Sequence, residues 1–160
     1  MIRGPVKPGT IVVRLSTASD LPNIEHEYGT LDNAGDPFCD TSKIRKLRYD
    51  RLLVAEVDGR YAGFLYWHVG NKPFFAPRVT QFAHIREVQV LKTFQGQGIG
   101  KKLTLHALHR MKALGIRHVF LATTETNKVA RLLYESLGFN EYRRQLHYHL
   151  RINGLSKKDL

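Results

Sequence analysis

The sequence predicts a mixed α/β domain in which helices cover the faces of one β-sheet. A hairpin is indicated by Asp58-Gly59, which stands between two apolar runs. Downstream, an apolar strand pattern enters a glycine-rich turn at residues 95–100, and an amphipathic helix pattern follows at once. Strand and helix patterns then alternate up to residue 151. The resulting order of hairpin, strand, helix, strand, helix and strand is typical of a mixed sheet with helices packed on it.

Turn and capping residues set the limits of the predicted elements. The stretch from Thr17 to Asp20 offers an N-cap for the first helix, and Pro22 suits its first turn. Residues 29–40 are rich in turn formers and predict a loop. The predicted strands are residues 10–15, 52–57, 61–69, 82–91 and 118–123, with two short strands between residues 139 and 151. The predicted helices are residues 22–28, 40–49, 99–114 and 127–137.

The length and composition fit a single domain. A chain of 160 residues can bury about 70% of its unfolded surface in one core. We expect one domain over residues 1–160, ordered over about 10–152, with a polar tail at 153–160. The single cysteine, Cys39, excludes an intramolecular disulfide and a cysteine-based metal site, and we expect no metal. The sequence has neither a signal-peptide core nor a membrane-length apolar run, so we expect a cytoplasmic protein without membrane contact. Its oligomeric state is left open between monomer and homodimer.

The chain is strongly basic, with 25 Lys and Arg against 14 Asp and Glu and a net charge of +11. Such a charge fits a nucleic-acid partner, a ligand with several phosphates, or a solvated surface alone. The densest basic run, residues 43–51, carries Ile44 and Leu47 at helical spacing. This run predicts either a solvated helix face or a patch that steers an anionic ligand.

The glycine-rich turn is the feature most directly linked to ligand binding. Its three glycines alternate with larger residues, so the backbone can turn tightly and present N–H groups with no Cβ in the way. The helix that begins there adds unpaired N–H groups and the positive end of its dipole, and Lys101 adds a charge. These features predict a pocket for a phosphate or pyrophosphate, unless the turn serves folding alone. The spacing of the glycines excludes a Walker A loop and a Rossmann fingerprint.

Two motifs follow one another over residues 82–140. The first is Val88-Gln89-Val90 followed, after four residues, by Gln95-Gly96-Gln97-Gly98-Ile99-Gly100. The second is N-x-x-A-x-x-x-Y-x-x-x-G-F, with Asn127, Ala130, Tyr134, Gly138 and Phe139. Together they resemble the signature of the GNAT (Gcn5-related N-acetyltransferase) superfamily. The N-terminal half of the chain agrees with that family only in the order of its elements.

The resemblance implies a fold and a co-substrate. The fold is an acyl-CoA N-acyltransferase fold with about six to seven strands, about four helices and two central parallel strands that splay apart. Acetyl-CoA would enter the splay, where a strand N–H aimed at the thioester would contribute about 2.7–4 kcal/mol. The turn would hold the pyrophosphate, and Asn127 would bind the pantetheine arm beside Ala130. The implied cofactor-binding residues are Val88, Val90, Gln95, Gly96, Gln97, Gly98, Ile99, Gly100, Lys101, Asn127 and Ala130.

The resemblance also implies direct attack by a primary amine, without an acetyl-enzyme. Tyr134 lies two helical turns after Asn127 and would protonate the leaving thiolate, unless it is a core aromatic. The base that takes the amine's proton is left open between His84, Glu87 and a chain of waters. By plain alternation these two side chains lie on opposite faces of their strand. A bulge, which is common at this place in the family, would reverse that relation.

The acceptor in this interpretation is a small-molecule or peptide amine. Three acidic residues either attract a cationic acceptor or form turns and caps, namely Asp32, Asp36 and Asp40. Three aromatic residues either wall the acceptor pocket or pack the sheet, namely Trp67, Phe74 and Phe75. N-terminal acetyltransferases of ribosomal proteins often carry a glutamate five positions before the motif asparagine. Ala122 stands there in this chain, which disfavours that substrate class.

A competing interpretation is a non-catalytic basic module of the same fold that binds RNA or another polyanion. Only the net charge of +11 favours this module. The complete glycine turn, together with Asn127 and Tyr134, favours the enzyme, because a module that only binds has no need of them. Nucleic acid is therefore the less favoured partner.

Overall fold

A computed structural model of the chain describes residues 9–32, 48–71, 76 and 78–144, with the backbone alone for residues 28–32. Within these residues, one five-stranded sheet carries three α-helices. The strands lie in the sheet in the same order as in the chain. This arrangement confirms the predicted mixed α/β fold class.

The sheet has three antiparallel junctions and one parallel junction. Its strands are β1 (Ile11–Leu15), β2 (Leu52–Val57), β3 (Arg60–Asn71), β4 (Gln81–Val90) and β5 (Val119–Leu121). The first four strands pair antiparallel, and β5 pairs parallel with β4. The crossover between β4 and β5 contains the glycine-rich turn and the helix that follows it.

The helices are α1 (Leu21–Asp32), α2 (Ile99–Ala113) and α3 (Lys128–Ser136). Short 3₁₀ turns precede α1, β2 and the glycine-rich turn, at Ala18–Asp20, Tyr49–Arg51 and Lys92–Phe94. Within the described ranges, no helix combines the length and the apolar character that a bilayer-spanning segment needs.

The β2–β3 hairpin turns at Asp58 and Gly59, as the sequence predicts. The φ angles are 49° for Asp58 and 74° for Gly59, so both residues adopt the left-handed conformation. A two-residue turn of this kind matches the twist of the strands on either side, and Asp-Gly tolerates it best. The carboxylate of Asp58 also accepts a hydrogen bond from the backbone N–H of Thr10 at 2.8 Å, which ties the hairpin to the start of β1.

Two apolar cores cover the opposite faces of the sheet. On one face, Leu65 and Trp67 of β3 pack with the buried side of α2, which includes Leu103 and Met111. On the other face, Ile24 of α1 packs on buried residues of the central strands, namely Leu52, Val54 and Phe64. Complete burial of each such side chain stabilises the fold by about 1.5–3 kcal/mol. The sheet is therefore held between α1 and α2, and β4 lies between β3 and β5.

Several element limits differ from those that the sequence predicts. α1 continues through Gly29 to Asp32, where the sequence predicts a loop. A glycine inside a helix costs only about 1 kcal/mol relative to alanine, and it does not end this helix. β3 extends to Asn71 because it pairs there with Gln81 of β4.

Among the described residues the sheet has five strands, fewer than the six to seven expected for the whole chain. Residues 140–144 carry no strand, and the rest of the two predicted C-terminal strands lies outside the described residues. Most of the helix predicted at residues 40–49 lies outside them too, and Tyr49 itself begins a 3₁₀ turn.

Candidate active site

The glycine-rich turn leaves open space next to the start of α2. Gly96 and Gly98 have φ angles of 76° and 78°, which glycine adopts without strain. Apart from its chain neighbours, a Cβ at either position would meet no atom of the described residues within 4 Å. Gly98 is the N-cap of α2, so the first N–H groups of the helix, which have no partner within it, lie beside this space. Such an arrangement can bind an anion.

The side chains of the turn support it in different ways. Gln95 Nε2 donates a hydrogen bond to the carbonyl oxygen of Val90 at 3.1 Å and so ties the turn to β4. Ile99 is buried in the core, which leaves only its backbone for a ligand. A Cβ on Gly100 would lie 3.3 Å from Leu133, so this glycine lets α3 approach α2. These packing and anchoring roles are compatible with the predicted ligand contacts of the backbone.

The rim of the turn is basic. Gln97 and Lys101 are exposed, and so are Lys92 and Lys102 on either side of the turn. Phe94 belongs to the 3₁₀ turn that leads into the glycines. The guanidinium of Arg60 lies 5.4 Å from the centre of the Phe94 ring. Positive charge beside unpaired N–H groups favours a ligand with several phosphates.

β4 has an open edge directly before the turn. β5 pairs only with residues 83–85, and the rest of β4 has no strand partner on that side among the described residues. The N–H of Leu91 donates to the carbonyl oxygen of Ala62 at 2.9 Å, towards β3. Because backbone groups of a strand alternate between its two edges, those of Val88 and Val90 point to the open edge. The separation of β4 from β5 is the predicted splay, and an extended ligand can pair there as an additional strand.

A bulge at Arg86 brings His84 and Glu87 to the same face of the sheet. His84 is opposite His68 of β3 and Glu87 is opposite Tyr66, with Arg86 as the extra residue between them. Since Tyr66 and His68 are two positions apart on β3, they share a face. The bulge therefore reverses the relation that plain alternation predicts.

His84 and Glu87 differ in their surroundings. Burial, followed by the charge of Arg86, lowers the pKa of His84 to about 4. The half-buried imidazole is therefore neutral at physiological pH. Glu87 accepts a hydrogen bond from Gln89 Nε2 at 3.4 Å, and its charge acts on Tyr134 of α3. Of the two candidate bases, Glu87 is thus the one electrostatically linked to the candidate acid.

The N-terminal part of α3 carries the remaining motif residues. Asn127 caps the helix, since its Oδ1 accepts a hydrogen bond from the N–H of Ala130 at 3.2 Å. Its Nδ2 makes no hydrogen bond with any described residue. The half-buried ring of Tyr134 meets Phe139 edge to face, with centroids 5.8 Å apart. Burial and then the charge of Glu87 raise the pKa of Tyr134, so the phenol stays protonated at neutral pH.

The sequence did not point to the aromatic surface that continues from His84. The rings of His68 and His84 meet edge to face at 5.4 Å. Phe82 lies 5.7 Å from Phe120 of β5, and Phe120 lies 6.1 Å from Tyr142. We call the surface that carries His68, Phe82, His84, Glu87 and Phe120 the His84 face. Only the strand register brings these residues together, and no local sequence signal reports it.

Other residues singled out from the sequence are not at this site. Trp67 is fully buried on the α2 side, so it packs the sheet and does not wall a pocket. Asp36, Asp40, Cys39, Phe74 and Phe75 lie outside the described residues, and Asp32 is described by its backbone alone. In the part of the chain that the structure describes, no three His, Cys, Asp or Glu side chains are grouped as metal ligands would be.

Comparison with known proteins agrees with the fold and the two motifs. The sequence profile described as the Acetyltransferase (GNAT) family matches residues 19–139. The match covers most of the chain, including the turn, the bulged strand and α3. The protein belongs to the GNAT acetyltransferase family, which confirms the resemblance and supports an enzyme of the acyltransferase class.

The curated relatives are acetyltransferases of several kinds. The chain is 38% identical over 91 residues to the mycothiol acetyltransferase of Thermomonospora curvata, covering 57% of this chain and 28% of that protein. It is 39% identical over 67 residues to N-alpha-acetyltransferase 30 of Schizosaccharomyces pombe, covering 42% and 45%. The chain thus spans less than half the length of these two relatives.

Solved structures share the fold over almost the whole chain. A transcriptional regulator from Bacillus halodurans is 25% identical with a TM-score of 0.71, covering 88% of this chain and all of that one. The aminoglycoside N-acetyltransferase AAC(6')-Iy, solved in complex with CoA, has a TM-score of 0.74 over 91% of this chain and 97% of that one. Its identity of 18% shows a common fold alone.

Proposed function

We propose that the protein is an acetyl-CoA-dependent N-acetyltransferase that transfers the acetyl group to a primary amine by direct attack. The observation that carries this proposal is the open edge of β4, which leads into a glycine turn at the start of α2. Glu87 and Tyr134, which act on each other electrostatically, supply a base and an acid beside this edge. The acetyltransferase relatives make the same reaction class the natural one.

The residues present fit acetyl-CoA as the co-substrate. The N–H groups of residues 95–101 would bind the pyrophosphate, and the basic rim would add charge. The outward backbone groups of Val88 and Val90 would pair with the extended pantetheine arm. Asn127 would donate its Nδ2 to that arm while its Oδ1 caps α3. Bound acetyl-CoA would supply a thioester carbonyl as the electrophile.

The proposed transfer step uses one proton acceptor and one proton donor. The amine nitrogen forms a bond to the carbonyl carbon, and the bond from that carbon to sulfur breaks. Glu87, directly or through water, takes the proton that the nitrogen loses. Tyr134 gives its phenolic proton to the thiolate, so the products are an acetylated amine and a free thiol. Both residues return to their starting states by exchange with solvent.

Glu87 is the better candidate for the base than His84. A carboxylate close to an attacking ammonium attracts that cation electrostatically, which a neutral imidazole does not. The pKa of His84, lowered to about 4, leaves its imidazole neutral at physiological pH, so it adds no attraction for the ammonium. The charges that act on His84 are those of Arg86 and His68, and both disfavour its protonation.

The first test is the thermal midpoint of the protein with and without acetyl-CoA, with inorganic polyphosphate as a polyanion control. A ligand at about 100 times its dissociation constant adds roughly 2.7 kcal/mol to the free energy of unfolding. For a chain of this size, we expect a rise of about 5–10 °C. The same samples are then assayed for free CoA released on addition of primary amines.

The outcomes separate the enzyme from the binding module. A rise with acetyl-CoA, little change with polyphosphate and amine-dependent release of CoA support the proposed transferase. An equal rise with both ligands and no release of CoA with any amine would contradict it and favour the module that binds polyanions.

A further inference from the structure

Two arginines from separate parts of the chain act on the His84 face. Arg86 is the exposed extra residue of the β4 bulge. Arg51 ends the 3₁₀ turn before β2, at the end of the basic run that the sequence assigns to a helix face or a steering patch. After burial, the charges of Arg86 and then Arg51 lower the pKa of His68. Both cations are therefore close enough to this one ring to influence it.

Neither arginine is in an ion pair with a described carboxylate, although the charge of Arg51 also acts on Asp50. The nearby Arg48 forms a two-point ion pair with Asp50, at 2.9 and 3.0 Å, so its charge is balanced. Arg51 and Arg86 make no ion pair among the described residues. The Nε of Arg51 is buried and has no hydrogen-bond partner in that part of the chain. A buried donor without a partner costs free energy unless a ligand satisfies it.

The charges of the His84 face thus fall into two groups. Glu87 supplies a negative charge at the end of the face that adjoins the open edge of β4. Arg86 and Arg51 supply positive charge around the two histidines, whose rings are uncharged at neutral pH. A molecule that matches this distribution has an ammonium group at one end and an anionic group at the other.

We propose that the acceptor is a primary amine that also carries an anionic group, which Arg86 and Arg51 bind on the His84 face while the amine lies at Glu87. Guanidinium groups recognise carboxylate and phosphate through paired, charge-assisted hydrogen bonds. A polyamine or an aminoglycoside carries several ammonium groups, and the two arginines would repel them. This inference rests on the proposed transferase function and specifies the class of its acceptor.

The test compares amines that differ only in the anionic group. The first pair is an amino acid and its carboxamide, and the second pair is phosphoethanolamine and ethanolamine. Spermidine serves as the polycationic amine. Release of CoA is measured at saturating acetyl-CoA for the full chain and for the variants Arg86→Gln, Arg86→Lys, Arg51→Gln and Arg110→Gln. Arg110 is an exposed arginine of α2 and serves as the matched control.

We expect the anionic member of at least one pair to have a kcat/KM at least tenfold above its neutral partner and above spermidine. The pair that shows this preference identifies the anion as a carboxylate or a phosphate. Arg86→Gln and Arg51→Gln should each reduce the preference at least fivefold, through the KM of the acceptor. Arg86→Lys should restore part of it, and Arg110→Gln should leave it unchanged.

Two results would overturn the inference. Neutral amines or spermidine that react as well as the anionic amines would show that the two arginines do not select the acceptor. The same conclusion follows if Arg86→Gln and Arg51→Gln slow both members of a pair equally. Absence of CoA release with every amine is a different failure, because it contradicts the transferase function on which the inference rests.

Discussion

Glu87 and His84 lie three positions apart on β4 and still project from one face of the sheet, because Arg86 bulges out between them. The bulge also determines where the strand backbone points further on. Beyond it, the outward groups of Val88 and Val90 line the open edge that precedes the glycine turn. One inserted residue thus aligns the candidate base with the candidate co-substrate site, which is the kind of effect that makes bulges frequent next to active sites.

The first prediction separates the two candidate bases. Glu87→Gln is expected to lower kcat at least tenfold, since a positioned general base contributes about 10²–10⁴-fold. The loss should narrow as the pH approaches the pKa of the acceptor amine, because a growing fraction of the amine then arrives without the ammonium proton that the base must otherwise remove before attack. His84→Asn should change kcat less than threefold. Steady-state rates of CoA release between pH 6.5 and 9.5 measure both variants, and the opposite ranking would assign the base to His84.

The second prediction concerns the proton that the leaving thiolate needs. Tyr134→Phe should lower kcat at least tenfold and leave the dissociation constant of acetyl-CoA within twofold, because only the hydroxyl is removed. Tyr49→Phe is the control, since Tyr49 is exposed on the turn before β2. Turnover and calorimetric binding are measured on the same preparations. Unaltered turnover in Tyr134→Phe would remove this residue from the acid role.

The third prediction isolates the ligand role of the glycine turn from its backbone strain. Gly98 and Gly115 have φ angles of 78° and 77°, and a Cβ at either position would have open space before it within the described part of the chain. Alanine at either position should therefore cost a similar free energy of unfolding, about 1–2 kcal/mol. Only Gly98→Ala should also weaken acetyl-CoA binding, by at least tenfold, because the methyl group would enter the space above the turn. Equal affinities in the two variants would show that the turn serves folding alone.

Most of the fold could be predicted from signals that are local in the sequence. The hairpin at Asp58 and Gly59 and the start of α3 next to Asn127 depend on residues close in sequence, and both are where the sequence predicts them. Gly29 misled the prediction, because packing of α1 on the sheet outweighs the small helix penalty of one glycine. Propensity is a weak guide wherever tertiary contacts contribute more.

The site was predictable to a smaller degree. The turn and α3 follow from motifs, but the face that Glu87 shares with His84 depends on the register between β3 and β4. The sequence allows Trp67 to be either a wall of the acceptor pocket or a core residue. The structure shows that it is a core residue, because it is buried on the α2 side of the sheet. Arg51 lies in the turn before β2, and its charge acts on His68 of the His84 face, a relation between distant residues that no local pattern encodes.

The fourth prediction divides the two functions assigned to Asn127. Asn127→Asp keeps an oxygen that can cap the N–H of Ala130 but replaces the Nδ2 donor, so stability should change little while acetyl-CoA binds at least fivefold more weakly. Asn127→Ala should lose the cap as well and cost about 0.5–2 kcal/mol of unfolding free energy. Urea denaturation and calorimetry measure the two effects separately. Full affinity in Asn127→Asp would limit this residue to capping.

The fifth prediction follows from the lowered pKa of His84. In the unfolded chain this histidine titrates near 6.5, whereas in the folded protein its pKa is about 4. Between these two values the unfolded chain binds a proton that the folded protein does not, so lowering the pH favours unfolding. The decrease in the free energy of unfolding begins as the pH falls through about 6.5 and is complete below about 4. Its slope is at most about 1.4 kcal/mol per pH unit, and less here because the ring is half-exposed.

Urea midpoints at pH 7.5, 6.0 and 5.0 measure this dependence. His84→Asn should flatten it relative to the natural sequence, and the slope that remains should include the contribution of His68, whose pKa is lowered for the same first reason, burial. His106→Asn, at an exposed position of α2, should keep the full slope and so controls for the loss of any histidine. If His84→Asn and His106→Asn have the same slope, the pKa of His84 is not lowered on folding, and its imidazole would again be a candidate for the base.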